Sequence, residues 1–253
     1  MIDALLSRSL TLLCVVGLSG CAHLAREAPP LPMPAGMEAW SARALPVKPA
    51  TRYSMGKRSG HHCVLAQAYR SASLWRRKLH VPPAELGAIE FNWWVAGMPE
   101  GASVTDTLHD DASARIVLAF DGNEAELSSR NRMLFELART LTGEAPPYAT
   151  LMYVWDAKAP VGTEVVSARS DRMRKIVVAS GGESLRTWRR FERDVVADFR
   201  RVYGGESPGA LIGLALMTDA DNTKGRVEAC YGAIRLLDRE GAELPGGLAL
   251  PGQ

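Results

Sequence analysis

Acidic and amide side chains follow the apolar run "LIGLAL" near the end of the 253-residue chain. Asp219, Asp221 and Asn222 present oxygen ligands within four consecutive positions, a spacing that suits Ca²⁺, which binds several such ligands in flexible geometry. The glycine and the final glutamate of an EF-hand loop are missing. A structural turn, in which these side chains bind backbone groups and arginines, is the alternative. Both interpretations stay open, with Asp219 and Asp221 as the calcium candidates and no other cofactor predicted.

Charged side chains also lie beside other strand-like runs. They are Asp110, Asp111 and Arg115 in "HDDASAR", Asp156 in "YVWD", and Asp171 and Arg172 in "RSDRMRK". The loops of a β-sandwich cluster at two ends, so charged groups from several strand ends can meet there. We therefore predict an Asp–Arg network at one end of the fold, with Arg115 or Arg172 as the partner of Asp219. This network either holds the loops together or marks a ligand site.

The segment "FNWWV" (91–95) carries two adjacent tryptophans. Neighbouring residues of a strand point to opposite faces, so Trp93 and Trp94 lie on different sides of their sheet. One of them belongs in the core. The other is a candidate platform for a sugar ring, whose CH face is apolar, unless both are core residues. Both are therefore candidate ligand contacts.

The motifs of common enzyme classes are absent from the sequence. It contains no GxSxG, no HExxH, no Walker loop and no GxGxxG, and we predict no catalytic residue. The tripeptide "HHC" (61–63) lacks further metal ligands nearby and is best explained as a polar turn before a strand. The 30 basic and 28 acidic residues give a net charge of +2, so nucleic acid is not a predicted partner.

The elements that must position these residues are mostly strands. Apolar and β-branched runs of strand length, separated by turn residues, cover residues 62–69, 88–95, 113–120, 149–155, 162–168, 174–180, 210–218 and 226–237. Residues 217–225 are predicted to be a hairpin between the last two strands. Two segments, 128–143 and 182–205, have apolar residues three and four apart and predict helices. Because strands and helices do not alternate, we predict a mainly β fold, an antiparallel jelly-roll β-sandwich with two inserted or peripheral α-helices.

The N-terminal residues resemble the signal of a bacterial lipoprotein. The apolar run 10–20 has the length of a signal-peptide core and is short for a transmembrane span. It ends in "LSGC", which resembles a lipobox and implies cleavage after a signal peptide at residues 1–20 and a lipid on Cys21. Ala22 in place of Asp implies export to the outer membrane, facing the periplasm. The membrane is thus a predicted partner through the N-terminal lipid.

This N-terminal assignment divides the rest of the chain. A proline-rich tether is predicted at residues 21–37, a single β-sandwich domain at 38–240 and a flexible tail at 241–253. Within the domain, Cys63 and Cys230 both lie in strand-like runs. An oxidising compartment permits a disulfide between them if their strands pair; two buried free thiols are the alternative.

Three segments, at residues 91–122, 151–204 and 208–237, resemble the bacterial family called domain of unknown function 3047. The matching motifs are Asp110 and Asp111, Arg115, the "YVW" tract, Ser170–Arg172 and Asp219–Thr223. The chain departs from the family pattern at His109 and at Ala233, where the family tends to have glycine and an acid. The resemblance implies an exported protein with a fold similar to galactose-binding-like jelly rolls, and it implies no particular activity.

The leading functional prediction is a non-catalytic, lipid-anchored periplasmic binding module, with a glycan or polysaccharide as its ligand. The alternative is an assembly or scaffold protein of the envelope that binds a protein partner on its sandwich face or long helix. A metal-dependent hydrolase ranks below these two, since paired carboxylates run glycoside hydrolysis only at a defined separation.

Overall fold

Residues 37–251, which the computed structural model describes, form two β-sheets and two α-helices. The strands are β1 (Trp40–Ala44), β2 (Arg52–Arg58), β3 (His61–Tyr69), β4 (Ala72–Val81), β5 (Ala88–Val95), β6 (Ala114–Phe120), β7 (Ala149–Asp156), β8 (Glu164–Val166), β9 (Met173–Ser180), β10 (Arg189–Asp194), β11 (Leu211–Asp219), β12 (Arg226–Leu237) and β13 (Glu243–Leu248). The helices are α1 (Ser129–Thr142) and α2 (Val195–Val202), with a short 3-10 helix, Glu124–Glu126, before α1.

The two sheets pack face to face as a sandwich. The seven-stranded sheet has the order β1-β4-β11-β6-β7-β9-β8, and the six-stranded sheet has the order β10-β5-β12-β3-β2, with β13 paired to β12. Neighbouring strands are antiparallel except β7 and β9, which run parallel. The predicted mainly β sandwich with two helices is confirmed.

An aromatic core lies between the sheets. Phe91 and Trp93 of β5 point inward and meet Tyr153 and Trp155 of β7 and Tyr231 of β12. The ring centroids of Phe91 and Tyr153 are 5.7 Å apart, and those of Trp93 and Trp155 are 6.3 Å apart. None of these five side chains is more than 1% exposed. Burial of so much aromatic surface is a main source of stability for the sandwich.

Helix α1 matches the predicted helix at residues 128–143. Ser128 caps its start by accepting a hydrogen bond from a backbone N–H, and Gly143 ends it in the left-handed conformation. Its outer face carries an apolar ridge: Met133, Leu137 and Leu141, four residues apart, are 65%, 53% and 66% exposed. Such a row of exposed apolar side chains is a candidate contact surface.

The prediction of one helix over residues 182–205 is wrong in its first half. Residues 189–194 form the strand β10, and α2 begins only at Val195, where the Asp194 carboxylate caps its first turn. Along β10, Phe191 packs inward on Phe91, with ring centroids 5.2 Å apart. The helical pattern had placed Glu192 on its apolar stripe. Pairing with β5 and burial of Phe191 outweigh that periodicity.

The predicted flexible tail at 241–253 is also wrong over most of its length. The strand β13 pairs with β12, and Leu248 and Leu250 are 1% and 7% exposed. Burial of these apolar side chains holds the segment on the sandwich. The domain therefore continues past residue 240.

The N-terminal predictions fall outside the described residues. These are the signal peptide at 1–20, the lipid on Cys21 and all of the tether at 21–37 except its last residue. Met37 itself is buried, at 3% exposure, and therefore belongs to the domain rather than to the tether. Within residues 37–251, no helix has the length and apolar character needed to cross a membrane.

Candidate functional site

Arg115 is the centre of a buried charged network at one end of the seven-stranded sheet. Its Nε and Nη2 atoms donate to the two carboxylate oxygens of Asp219 at 3.2 and 2.9 Å. Its Nη2 also donates to the backbone oxygen and the carboxylate of Asp110 at 3.0 and 3.3 Å. Arg115 lies opposite Met217 in the pairing of β6 with β11, so Asp219, two residues on, shares its face. Arg115 and Asp219 are each 3% exposed, which shuts the pair off from water.

Asp111 joins the two loops at this end. Its carboxylate accepts hydrogen bonds from the backbone N–H groups of Asn222 and Thr223 at 3.1 and 2.6 Å, and from the Thr223 hydroxyl at 2.7 Å. The Asn222 side chain donates to the Leu108 oxygen at 3.3 Å. These bonds fix the β5–β6 loop to the β11–β12 connection. Because β11 and β12 belong to different sheets, the predicted hairpin at 217–225 is instead a crossover.

Two lysines that the sequence did not single out complete the network. Lys175 of β9 donates to the Asp110 carboxylate, and Lys48 donates to the Asp221 carboxylate. Burial, together with the neighbouring Arg115 charge, lowers the pKa of Lys175 to about 8. Because β7 separates β9 from β6 in the sheet, sequence spacing carries no signal of this contact.

The ionisation of Asp219 should make stability depend on pH. Burial raises the pKa of Asp219 to about 6, although the Arg115 guanidinium favours the ionised form. Between about pH 4, the ordinary range of an aspartate, and pH 6, the folded protein keeps a proton that the unfolded chain has lost. Stability from this group therefore falls as the pH rises.

We expect Asp219→Asn to remove this dependence. The free energy of unfolding of the variant minus that of the wild type should rise by about 2 kcal/mol between pH 4 and pH 7. Urea unfolding at a series of pH values measures it. A difference that stays constant would mean that Asp219 is ionised in the folded protein throughout this range.

Three carboxylates approach the geometry of a cation site. Oxygen atoms of Asp111, Asp219 and Asp221 lie within 4.8 Å of one another. Each of these carboxylates already accepts a hydrogen bond from the arginine, lysine or loop donors described above. The Oδ1 atom of Asp221 is buried without a hydrogen-bond partner in the described part of the chain. A Ca²⁺ ion bound by all three carboxylates would still compete with the donors of the network, so the arrangement fits internal ion pairing better than metal binding.

Asp156 lies at the same end but has its own role. It is fully buried and accepts hydrogen bonds from the backbone N–H groups of Val104 and Lys158 at 2.6 and 2.7 Å. It thereby ties the β5–β6 loop to the segment that follows β7. Asp156 is a loop-holding residue, with no surface left for a ligand.

Asp171 and Arg172 lie at the opposite end of the sandwich, before β9. Arg172 donates to both carboxylate oxygens of Glu206 at 2.8 Å, and its guanidinium stacks 4.1 Å from the Tyr148 ring centroid. Asp171 accepts a hydrogen bond from Asn131 of α1 at 2.5 Å. The predicted network therefore contains Arg115 but not Arg172.

Neither predicted tryptophan presents a ring to solvent. Trp93 is in the core at 0% exposure, and Trp94 is 8% exposed. Trp94 does lie on the outer face of the six-stranded sheet, as strand alternation requires. It is covered there by Trp188 and by the disulfide between Cys63 of β3 and Cys230 of β12, whose Cα atoms are 5.5 Å apart. Trp188, and not Trp94, is the tryptophan that lies partly exposed on this outer face.

An open groove of about 520 Å³ lies beside this cluster, on the outer face of the six-stranded sheet. The residues that line it include His61, Glu90, Trp188, Arg190 and Arg235. Sequence reasoning missed the groove because Trp188 and the two following arginines were assigned to a helix. The period-two alternation of "RRFERD" (189–194) is the signal that could have placed them on an edge strand.

The groove is rigid on its sheet side. The Trp188 Nε1 atom donates to the Arg58 oxygen at 3.0 Å. The Glu90 carboxylate accepts from Arg190 and Arg235 at 2.9 and 3.0 Å. A Cβ at Gly232 would lie 1.5 Å from the Asn92 amide oxygen, so only glycine on β12 leaves room for the Asn92 side chain in the groove floor.

Comparison with solved structures gives distant matches. An ENZbleach xylanase mutant has 10% identity and a TM-score of 0.45, with 89% of this chain and 90% of that chain covered. A family 12 xyloglucanase from Bacillus licheniformis, in complex with ligand, has 7% identity and a TM-score of 0.38, with 79% and 100% covered. The native form of that xyloglucanase has 8% identity, the same TM-score and the same coverage.

Comparison of sequences is more decisive. No curated protein has significant sequence similarity to this chain. A family model described as "Protein of unknown function (DUF3047)" matches residues 38–235, which is most of the described domain. The chain therefore belongs to the DUF3047 family.

Proposed function

We propose that the protein is a non-catalytic binding module of the bacterial cell envelope and that it binds a glycan or polysaccharide in the groove beside Trp188. The observation that carries the proposal is an aromatic ring fixed at an open groove that also contains polar and charged residues. A pyranose ring has an apolar CH face and hydroxyls around its edge. A site for it therefore combines an aromatic surface with polar neighbours.

Trp188 is oriented before any ligand arrives. Its indole N–H is engaged by the Arg58 oxygen, its ring lies 5.6 Å from that of His61, and one side packs on Trp94 and the disulfide. The residue is only partly buried, so part of the ring remains open to the groove. A side chain ordered in advance lowers the entropic cost of binding.

The number of carboxylates in the groove favours binding over hydrolysis. Glycoside hydrolysis generally uses two carboxylates on either side of the scissile bond. Among the described residues that line the groove, Glu90 is the single carboxylate. It accepts hydrogen bonds from two arginines, and no second carboxylate among these lining residues is present to complete a hydrolytic pair.

The envelope location rests on the sequence of the N-terminal residues and is supported by the disulfide, since such bonds persist in oxidising compartments. We propose a lipid anchor on Cys21, with the domain facing the periplasm from the outer membrane. Labelled palmitate should enter the wild-type protein and not Cys21→Ser. Equal labelling of the two would refute the anchor.

Replacement of Trp188 should abolish most glycan binding. Loss of a central aromatic contact in an interface often weakens affinity by about tenfold or more. We expect this from Trp188→Ala, whereas Trp188→Phe, which keeps a ring, should lose less. Glycan-array binding followed by calorimetry with the full chain provides the measurement.

An unchanged affinity in Trp188→Ala would move the binding site away from the groove. Absence of glycan binding by the wild type would instead favour the alternative, an envelope scaffold protein. The apolar ridge of Met133, Leu137 and Leu141 on α1 is the observation that supports that alternative.

A further inference from the structure

Helix α1 presents its apolar ridge away from the domain. Asn131 and Phe135, on the other side of the helix, are buried against the sandwich, whereas Met133, Leu137 and Leu141 are each more than half exposed. Exposure of three large apolar side chains in one row costs free energy in water. Contact with an apolar or amphipathic partner would remove that cost.

The ridge lies at the end of the sandwich opposite the Arg115 network. Strand β6 starts at the network, and α1 lies in the connection between the other end of β6 and the start of β7. Strand β1 also starts at this far end, since Trp40 pairs with Arg77 and the strand then runs towards the network. Glu144, two residues after α1, pairs with Lys78 of β4. The domain therefore starts at the end of the sandwich that carries the ridge.

The proposed tether limits how far this end can lie from a membrane. Residues 22–36 separate the proposed lipid on Cys21 from Met37, and a chain of that length spans at most roughly 55 Å. An anchored domain stays within that distance of the bilayer, where a contact forms as an intramolecular event at high effective concentration. The ridge therefore needs only modest affinity of its own for lipid.

The cations at the start of α1 match an anionic bilayer. Arg130 and Arg132 are exposed in the first turn of the helix. In the described part of the chain, their guanidinium groups bond to backbone oxygens and one serine hydroxyl, and not to a carboxylate. Basic side chains next to an apolar row are typical of helices that lie in a membrane interface, where they meet lipid phosphates.

The ridge is too small to support a stable protein complex on its own. Each partner of such a complex usually buries about 800 Å², whereas the ridge consists of three side chains on one helix. A bilayer requires no complementary shape, and a row of apolar side chains can enter its headgroup region. These observations favour a lipid surface over the protein partner of the scaffold alternative.

We propose that α1 is a membrane-contacting helix, whose ridge enters the headgroup region of an anionic bilayer while Arg130 and Arg132 bind lipid phosphates. The inference rests on the proposed lipid anchor and adds an orientation to it. The end of the sandwich that carries α1 faces the bilayer. The Trp188 groove, on the outer face of the six-stranded sheet, is then at the side of the domain and stays accessible.

A polarity-sensitive dye measures this orientation. The full chain, processed and lipidated in the cell, is placed in phosphatidylglycerol vesicles with the dye on Thr140→Cys of α1 or on Val47→Cys at the other end of the domain; both positions are exposed. Because the proposed lipid occupies Cys21 and Cys63 and Cys230 are bridged, the dye has one free thiol. We expect blue-shifted emission and quenching by nitroxide lipids at residue 140 only.

Serine variants test the ridge itself, with the dye on Thr140→Cys. Met133→Ser/Leu137→Ser should lower the ratio of contacting to free domains about tenfold, because the transfer of two apolar side chains out of water is lost. The matched control, Leu108→Ser/Val161→Ser, removes two exposed apolar side chains from loops away from α1 and should leave the ratio unchanged. Thermal unfolding checks that both variants remain folded.

Lipid charge tests the two arginines. Each basic side chain near an anionic surface strengthens binding by about fivefold, so contact of the dye at residue 140 should weaken on phosphatidylcholine vesicles. Arg130→Ser/Arg132→Ser should weaken contact on phosphatidylglycerol and have little effect on phosphatidylcholine. Equal contact on the two lipids would overturn the role assigned to the arginines.

The remaining outcomes separate the orientation from the anchor. A dye at residue 140 that stays in water, while palmitate labels the protein, would overturn the inference and leave the anchor standing. Contact at both dye positions, or contact retained in the ridge variant, would also overturn it. A dye shielded from water but not quenched by nitroxide lipids would mean that a protein covers the ridge instead. Absence of palmitate labelling would remove the anchor and the inference together, and glycan binding by the groove is measured independently.

Discussion

Arg115→Met is expected to destabilise the folded protein by about 3–5 kcal/mol, the usual cost of breaking a buried ion pair by removing one partner. Arg115 supplies two hydrogen bonds to Asp219 and two to Asp110. Methionine fills a similar apolar volume but leaves the Asp219 carboxylate, at 3% exposure, without its counter-charge. Urea unfolding at pH 7 measures the loss.

Two further variants serve as controls for this result. Arg190→Met removes an ion pair whose arginine side chain is 71% exposed, so it should change stability by less than about 1 kcal/mol. The double variant Arg115→Met/Asp219→Leu removes both charges and should recover much of the loss, because an apolar pair of similar volume is often no less stable. A large loss without such recovery would mean that the cost comes from altered packing.

Arg115→Met should lower stability without changing the proposed binding groove. The Arg115 network ties loops at one end of the seven-stranded sheet, while the groove lies on the outer face of the six-stranded sheet. The folded fraction of Arg115→Met should therefore keep its groove intact. The Asp–Arg network that the sequence predicted then holds loops together, and the proposed ligand recognition belongs to the residues around Trp188.

Local patterns predicted those elements whose sequence carries a complete signal. The strands at 88–95 and 226–237 match β5 and β12 in both limits, because each is a β-rich run between turn residues. Helix α1 was equally clear, since Ser128 and Gly143 supply both caps. The edge strands β1, β2 and β13 carry weaker patterns, and their positions depend on the neighbour that each one pairs with.

Only part of the charged network could be predicted from the sequence, because strand direction decides which residues meet. Strand alternation brings Arg115 and Asp219 to one face once β6 and β11 are antiparallel neighbours. An antiparallel β9 would have brought Arg172 close to Asp156, at the end of β7. The strands β7 and β9 run parallel, so Arg172 starts at the other end of the sandwich. The sequence alone does not show whether the connection from β7 to β9 makes these two strands parallel or antiparallel.

Trp188 was misplaced by a competition between two periodicities. Leu185, Trp188 and Val195 fit a helical stripe, and Gly204 and Gly205 suit a helix end. The helical spacing describes α2 correctly, but the residues before α2, 189–194, form a strand that pairs with β5. The Asp194 cap marks the change from strand to helix. A cap inside a long helical pattern is thus evidence for a shorter helix.

Loss of the disulfide is the second large effect that we expect. Cys63→Ala/Cys230→Ala should lower the free energy of unfolding by about 2–5 kcal/mol. The bond links residues 167 apart in the chain, and closing so long a loop restricts the unfolded chain strongly in the chain-entropy account. Both cysteines are 0% exposed, so replacement also leaves a small cavity.

Reduction of the wild type is the matched control. Dithiothreitol breaks the bond without creating a cavity, so the reduced wild type should lose most, but not all, of the stability that the double variant loses. The double variant should not respond to dithiothreitol. A wild type that unfolds identically with and without the reductant, under conditions that break the bond in the unfolded chain, would mean that the disulfide adds no stability.

The disulfide should also influence the groove. Trp188 and Trp94 pack on the Cys63–Cys230 pair, so the double variant loses part of the surface that orients the Trp188 ring. We expect weaker glycan binding by Cys63→Ala/Cys230→Ala at temperatures where it is fully folded, because more of the ordering of Trp188 must then occur on binding. Unchanged affinity in that variant would show that the hydrogen bond from Trp188 to the Arg58 oxygen suffices to orient the ring.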